Sequence, residues 1–151
     1  MEEILENLPL SCIKQVYKQK GKYAYIGEYK LRSKDDRYLN FITNGFKCNK
    51  CGIEGKYVKL ENNRKQGYHL NVYAIDKTGK EVLLTKDHIY PKSKGGLDSI
   101  KNYQVLCTRC NSKKSDKSPM TLVQALREGY ATKKSVEKAV KEHHTKALVG
   151  V

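Results

Sequence analysis

The chain has 151 residues, 38% of them apolar, and 30 Lys and Arg against 16 Asp and Glu leave a net charge of +14. That length suits one domain, or one domain with a small appendage. An apolar share below the usual figure of about 45–50% leaves a thin core that gains from a staple. No apolar run approaches the ~18 residues of a membrane-spanning helix. The start, MEEILENLPL, has neither a basic n-region nor a long apolar stretch, so it does not read as a signal peptide and a cytoplasmic location is expected.

The positive charge is spread along the chain. Residues 1–75 hold 14 basic and 8 acidic side chains, and residues 76–151 hold 16 and 8. An excess carried by the whole folded body points to a polyanionic partner, most simply nucleic acid.

In chain order, Ile4, Leu5 and Leu8 share one helical face, so a short helix is expected over 1–8, stopped by Pro9. Residues 11–47 are rich in Lys and Tyr, with alternation at 22–25 that reads as a strand. Tyr17, Tyr23, Tyr25, Tyr29 and Tyr38 are read as packing half-buried on a small core. Stacking on exposed nucleobases is the alternative. Strands are expected around Tyr57–Leu60, Tyr68–Ile75 and Glu81–Thr85, with Asp76–Gly79 as a hairpin turn. His69 has no ligand-spaced partner and reads as an ordinary sheet residue. Ser118-Pro119 reads as a helix start, with Leu122, Val123, Leu126 and Tyr130 on one face and Gly129 near the end. A second amphipathic helix uses Val136, Ala139, Val140 and Ala147. His143 and His144 lie on it about 100° apart, a poor chelate, and are expected to be solvated.

Cys48-Asn-Lys-Cys51 and Cys107-Thr-Arg-Cys110 are two C-x2-C pairs in a chain with one other cysteine, Cys12. In an intracellular setting such pairs favour metal over disulfides. Each pair can offer two thiolates to one tetrahedral ion, and four thiolates with no open position make a structural zinc site. The pairs are 55 residues apart, so the ion would clamp distant segments. Cys12 is expected to be a small core residue.

Between the clamps lie Asp87-His88-Ile-Tyr-Pro91, Gly95-Gly96, Asn102, Leu106-Cys107-x-x-Cys110-Asn111 and Lys114. Together these resemble the HNH endonuclease family. His88 and Asn102 are 14 apart, Asn102 and Asn111 nine apart, spacings common in that family. The likeness runs from Cys48 to about Lys117, roughly half the chain. One departure is Asn111, where the family name implies histidine; asparagine is a frequent variant there and bears on metal preference.

The chemistry is consistent with that resemblance. Phosphodiester hydrolysis needs an activated water and charge relief on the phosphate. Histidine is the residue type that takes a proton near neutral pH. On a strand, Asp87 and His88 would point to opposite faces. The resemblance implies an α+β fold: a ββα-metal core over 48–117, stabilised by the Cys48, Cys51, Cys107 and Cys110 zinc. An N-terminal extension over 1–47, a candidate for substrate contact, and a helical segment over 118–151 flank it. It implies a DNA endonuclease in which His88 activates water. Asp87 and Asn111 would bind one Mg2+ or Mn2+, since hard oxygen ligands suit those ions. Asn102 would bond backbone across the loop and keep His88 aimed. Lys92, Lys94, Lys101, Arg109, Lys113 and Lys114 would hold the DNA backbone. Small proteins of this kind are common in phages and mobile elements. The competing readings are a non-catalytic zinc-stabilised DNA- or RNA-binding module and a zinc-containing RNA-binding protein of the translation apparatus.

Overall fold

A computed structural model describes residues 2–115, 117 and 120–148, with side chains to residue 143. The fold is mixed α+β. It divides into two compact units, 1–86 with 105–112 and 87–104 with 113–151.

In the first unit, β4 (Gly55–Asn63) and β5 (Gly67–Ile75) form a long antiparallel hairpin. Val58, Leu60, Leu70 and Val72 from this pair are almost fully buried. β1 (Glu2–Leu8) runs along β4, where a helix was expected. An isolated seven-residue helix is marginal in water. The strand instead sets Leu5 opposite Leu60 and Leu8 opposite Val58, with irregular register between them and Asn7 at φ 55°. Lys59, only 8% exposed, pairs with Glu3 at 2.7 Å and Glu81 at 2.9 Å, so its buried charge is compensated.

The other edge of β5 is shared. Tyr68 pairs in parallel with Leu31 of β3 (Tyr29–Arg32), which forms a hairpin with β2 (Tyr23–Ile26). Residues 72–75 pair with β6 (Glu81–His88) across the Asp76–Gly79 turn expected from the sequence. Asp76 Oδ1 accepts from the Thr78 N–H, the Thr78 hydroxyl and the Lys80 N–H, which fixes that turn. In the gap between the two neighbours, the Leu70 N–H donates to the Tyr38 hydroxyl at 2.9 Å. Tyr38 lies on α2 (Asp36–Asn44), which Asp35 caps by accepting from the Arg37 N–H. Burial pushes the Tyr38 phenol up to about 12, so it remains a neutral partner. Ile13 and Val16 of α1 (Cys12–Lys18) complete this core.

Strand β6 pairs with β7 (Tyr103–Cys107), and α3 (Thr108–Lys114) follows directly, giving the strand–strand–helix order of the ββα motif. In the second unit the core is small: Tyr90, Ala125 and Ala131, with Met120, Tyr130 and Val136 against them. Helix α4 (Leu122–Glu128) opens with a Thr121–Gln124 capping box and ends at Gly129 in the left-handed conformation. Ser118 and Pro119, expected as its start, lie outside the described residues. Of the residues expected to share a face of this helix, Leu122, Val123 and Leu126 are exposed, whereas Ala125 is buried. Helix α5 (Lys133–Leu148) covers the second amphipathic pattern, with His143 exposed. No described helix is long and apolar enough to cross a membrane.

The shared edge of β5 yields a stability test. Tyr38→Phe leaves the buried Leu70 N–H without its acceptor, at a cost of about 1–3 kcal/mol. Urea denaturation followed by circular dichroism is expected to show a lower midpoint with an unchanged slope; an unchanged midpoint would remove this account of the sheet.

Candidate active site and metal centre

In the first unit, the turn at Cys48–Cys51 and the junction of β7 with α3 at Cys107–Cys110 bring the cysteine pairs together. Around Cys48–Cys51, the Cys48 N–H donates to Ile53 O, the Gly52 N–H to Cys48 O, and the Gly55 N–H to Phe46 O. Gly52 takes φ 81°, a conformation that a residue with a Cβ rarely adopts. The Asn49 N–H donates to Val105 O and ties this knuckle to β7, which delivers Cys107. Cys48 and Cys107 are buried, Cys110 is half-buried and Cys51 exposed.

The four sulfurs lie within 4.8 Å of one another, and Cys51 and Cys107 are 3.8 Å apart. A tetrahedron with metal–sulfur bonds of about 2.3 Å has edges of about 3.8 Å, whereas a disulfide needs about 2.05 Å. Burial by itself would raise the Cys48 thiol, but N–H donors from Cys51, Cys107 and Lys50 outweigh it and draw it down to about 6. Burial and the neighbouring sulfurs push Cys110 up to about 12. Four thiols this close cannot all ionise without a cation between them, so the donor set suits a zinc ion.

In the second unit, the loop from Ile89 to Asn102 is built around one amide. Asn102 is fully buried. Its Oδ1 accepts from the Tyr90 N–H at 2.8 Å, and its Nδ2 donates to Tyr90 O and Leu97 O, both at 3.0 Å. Its own carbonyl accepts from the Ile89 N–H. The loop closes so tightly that a Cβ at Gly96 would sit 1.8 Å from Tyr90 O. Leu97 N–H to Tyr130 O and Ser135 Oγ to Gly95 O pin the loop to the C-terminal segment.

His88 ends β6, and its ring edge meets the Tyr103 ring at 5.2 Å. Its Nε2 lies 2.8 Å from Asp98 Oδ1, and Lys92 donates to Asp98 Oδ2 at 2.7 Å. Lys92 first, and His88 second, hold the Asp98 carboxyl below its ordinary range. Asp98 is therefore an acceptor near neutral pH, and Nε2 donates to it; in the neutral form of the ring, Nδ1 is then the acceptor nitrogen. Sequence reasoning did not single out Asp98; the available signal was an acid placed between Gly95-Gly96 and Asn102.

Asp87 precedes His88 and is 7% exposed. Its Oδ2 accepts from Gln104 Nε2 at 2.9 Å and pairs with Lys114 Nζ at 3.0 Å. Both contacts fall on one oxygen, Oδ2. Lys114 also donates to His88 O, so it is turned inward rather than presented as a surface cation. In the first unit, Asn111 Nδ2 donates to Thr85 Oγ1, whose hydroxyl is committed to Leu106 O. That bond orients the Asn111 amide and leaves its oxygen available as a ligand atom. Of the other expected backbone-binding residues, Lys92 is engaged by Asp98 and Arg109 by Asp76 at 2.6 Å, while Lys94, Lys101 and Lys113 are exposed.

Residues 76–127, about a third of the chain, match the family model of HNH endonucleases. That stretch runs from the β5–β6 turn to α4. No curated protein and no solved structure matches the chain.

The loop architecture is testable without reference to activity. Asn102→Ala leaves the Tyr90 N–H and the Tyr90 and Leu97 carbonyls unpaired, each at a cost of about 1–3 kcal/mol if buried. Hydrogen exchange by mass spectrometry is expected to show lost protection across residues 89–104. Unchanged protection there would refute the bracing role.

Proposed function

We propose, from the HNH endonuclease match of residues 76–127 and the geometry around His88, that the chain hydrolyses phosphodiester bonds of DNA. The observation that carries this reading is the fixed imidazole: an ionised Asp98 on Nε2 leaves Nδ1 as a proton acceptor. In the step proposed, water attacks the phosphorus and gives its proton to His88 Nδ1. The bond from phosphorus to the 3′ oxygen breaks, and that oxygen takes a proton from solvent, leaving a 5′ phosphate and a 3′ hydroxyl. Asp98 and Tyr103 hold the ring, and Asn102 holds the loop that carries Asp98.

Asp87 and Asn111 are the residues we assign to a divalent cation, Mg2+ or Mn2+, by the family resemblance and by the oxygen each leaves uncommitted. Bound there, the ion would supply charge relief to the phosphate and to the departing 3′ oxygen. Cys48, Cys51, Cys107 and Cys110 are assigned to one structural zinc. Lys94, Lys101 and Lys113 are assigned to the DNA backbone, with Lys92 and Arg109 joining them when DNA phosphates displace their carboxylate partners. Lys114 compensates Asp87 as well as adding to the positive field.

With supercoiled plasmid and Mg2+ or Mn2+, His88→Ala is expected to cut about 10²–10⁴-fold more slowly than the parent. Zinc content and DNA affinity should be unchanged, because the imidazole acts on water and not on the fold. Asp98→Ala should lower the rate by about 10–100-fold with little change in KM, as loss of a carboxylate that orients a histidine does. Parental cleavage rates in His88→Ala would exclude this function and leave a binding module as the better reading.

Elemental analysis is expected to find one zinc per chain, and Cys107→Ser should lose it together with the ordered knuckles. Soluble, active protein free of zinc would refute the assignment.

A further inference from the structure

A second surface with the chemistry of nucleic-acid recognition lies in the first unit, centred on the β2–β3 hairpin, which is outside the matched segment. In the β2–β3 hairpin, Tyr23 stands opposite Arg32 and Tyr25 opposite Lys30. Residues directly opposite in an antiparallel pair, and residues two apart on a strand, project from the same face. One face of the hairpin therefore carries two aromatic rings and two cations. The other face carries Ala24 and Leu31, which are buried in the core.

The placement of two of the five rings departs from the half-buried packing expected from the sequence. Tyr17 and Tyr29 are half-buried and Tyr38 is buried, but Tyr23 is 42% and Tyr25 56% exposed. Lys30 Nζ lies 4.1 Å and Lys22 Nζ 5.7 Å from the Tyr23 ring centroid, so cations already surround that ring. Tyr23 and Arg32 also line a cavity of about 790 Å³. Arg37, Lys65 and Lys86 add positive charge to its wall, and Asp35 is its one carboxylate among the described residues. Asp35 is already committed to Arg37 through two side-chain hydrogen bonds. His69 also lines the cavity, and burial, then Arg37, lowers its pKa, so it adds no charge at neutral pH.

Rings set between cations suit a strand whose bases are free to stack and whose phosphates need partners. In a duplex the base faces are already covered by their neighbours, so only an unpaired segment can use the rings. We propose that the exposed face of the β2–β3 hairpin and the cavity beside it bind a single-stranded segment of nucleic acid. Tyr23 and Tyr25 stack on its bases, and Lys30 and Arg32 hold its phosphates. This binding needs neither His88 nor a divalent cation, so it stands or falls separately from hydrolysis.

The test uses the full chain carrying His88→Ala, which removes cleavage from the readout. Fluorescence anisotropy is measured with labelled 12-nucleotide oligo-dT, oligo-U of the same length, and a 12-base-pair duplex. Adding Tyr23→Ala and Tyr25→Ala together is expected to weaken single-strand binding by tenfold or more, within the range seen for loss of base stacking. Duplex affinity should stay within about twofold, and the Tyr23→Phe control should bind like the parent. A larger loss on oligo-dT assigns the site to DNA, and a larger loss on oligo-U assigns it to RNA. Because both tyrosines are exposed, the fold should survive; circular dichroism checks it. Photo-cross-linking of a 5-iodouracil oligonucleotide, mapped by mass spectrometry, should place adducts within residues 22–32. Single-strand affinity within twofold of the parent in the double variant, equal losses for single strand and duplex, or adducts only elsewhere would overturn the proposal.

Discussion

Asn102 has no exposed surface, and its amide hydrogen-bonds only to the loop that joins β6 to β7. Around it the chain must turn back from Tyr90 to Leu97 with no room for a Cβ at Gly96. Asp98 follows Leu97 directly, so fixing Leu97 O also limits where the Asp98 carboxylate can lie. That carboxylate meets His88 Nε2 at 2.8 Å. A buried polar group is tolerated only when its hydrogen bonds are made, and the same requirement makes the brace rigid. The state of the imidazole is thus traceable to an amide that never touches it.

The first unit uses a different device for a similar end. Its apolar core is built on the β4–β5 hairpin, and the cysteine knuckles tie the ends of that region together across 55 residues of chain. The knuckle at Cys107 and Cys110 also fixes the start of α3, and hence Asn111. Neither device supplies the other's function: thiolates make a closed site, whereas Asp87 and Asn111 each retain an uncommitted oxygen. Soft and hard donors lie within a short stretch of chain, and the two kinds of donor suit different ions. Lys114 adds to this economy of charge. Its ammonium group neutralises a carboxylate that would otherwise be buried unpaired.

What the sequence revealed and what it concealed follow from the range of the forces involved. The Asp76–Gly79 turn, the β4–β6 strands and the Gly129 helix end were legible because local chemistry decides them. The cysteine pairs were legible because metal ligation demands fixed residue types at fixed spacing. Glu2–Leu8 was misread because Ile4, Leu5 and Leu8 fit a helical face, and only pairing with β4 overrides that pattern. The exposure of Tyr23 and Tyr25 was also hidden. An alternating strand does not reveal which of its faces meets the core until its neighbours are known. Asp98 escaped notice because an acid in a glycine-containing loop has no periodic signature; its role depends on how the loop folds back to His88.

The central claim is that His88 is held with its proton on Nε2 and its lone pair on Nδ1. Long-range 15N–1H correlation spectra of the histidine side chains report this tautomer directly. At a pH where the imidazole is neutral, the account predicts the Nε2–H form for His88, and loss of that strong preference in Asp98→Ala. A His88 found in the Nδ1–H form, or one indifferent to Asp98, would contradict it.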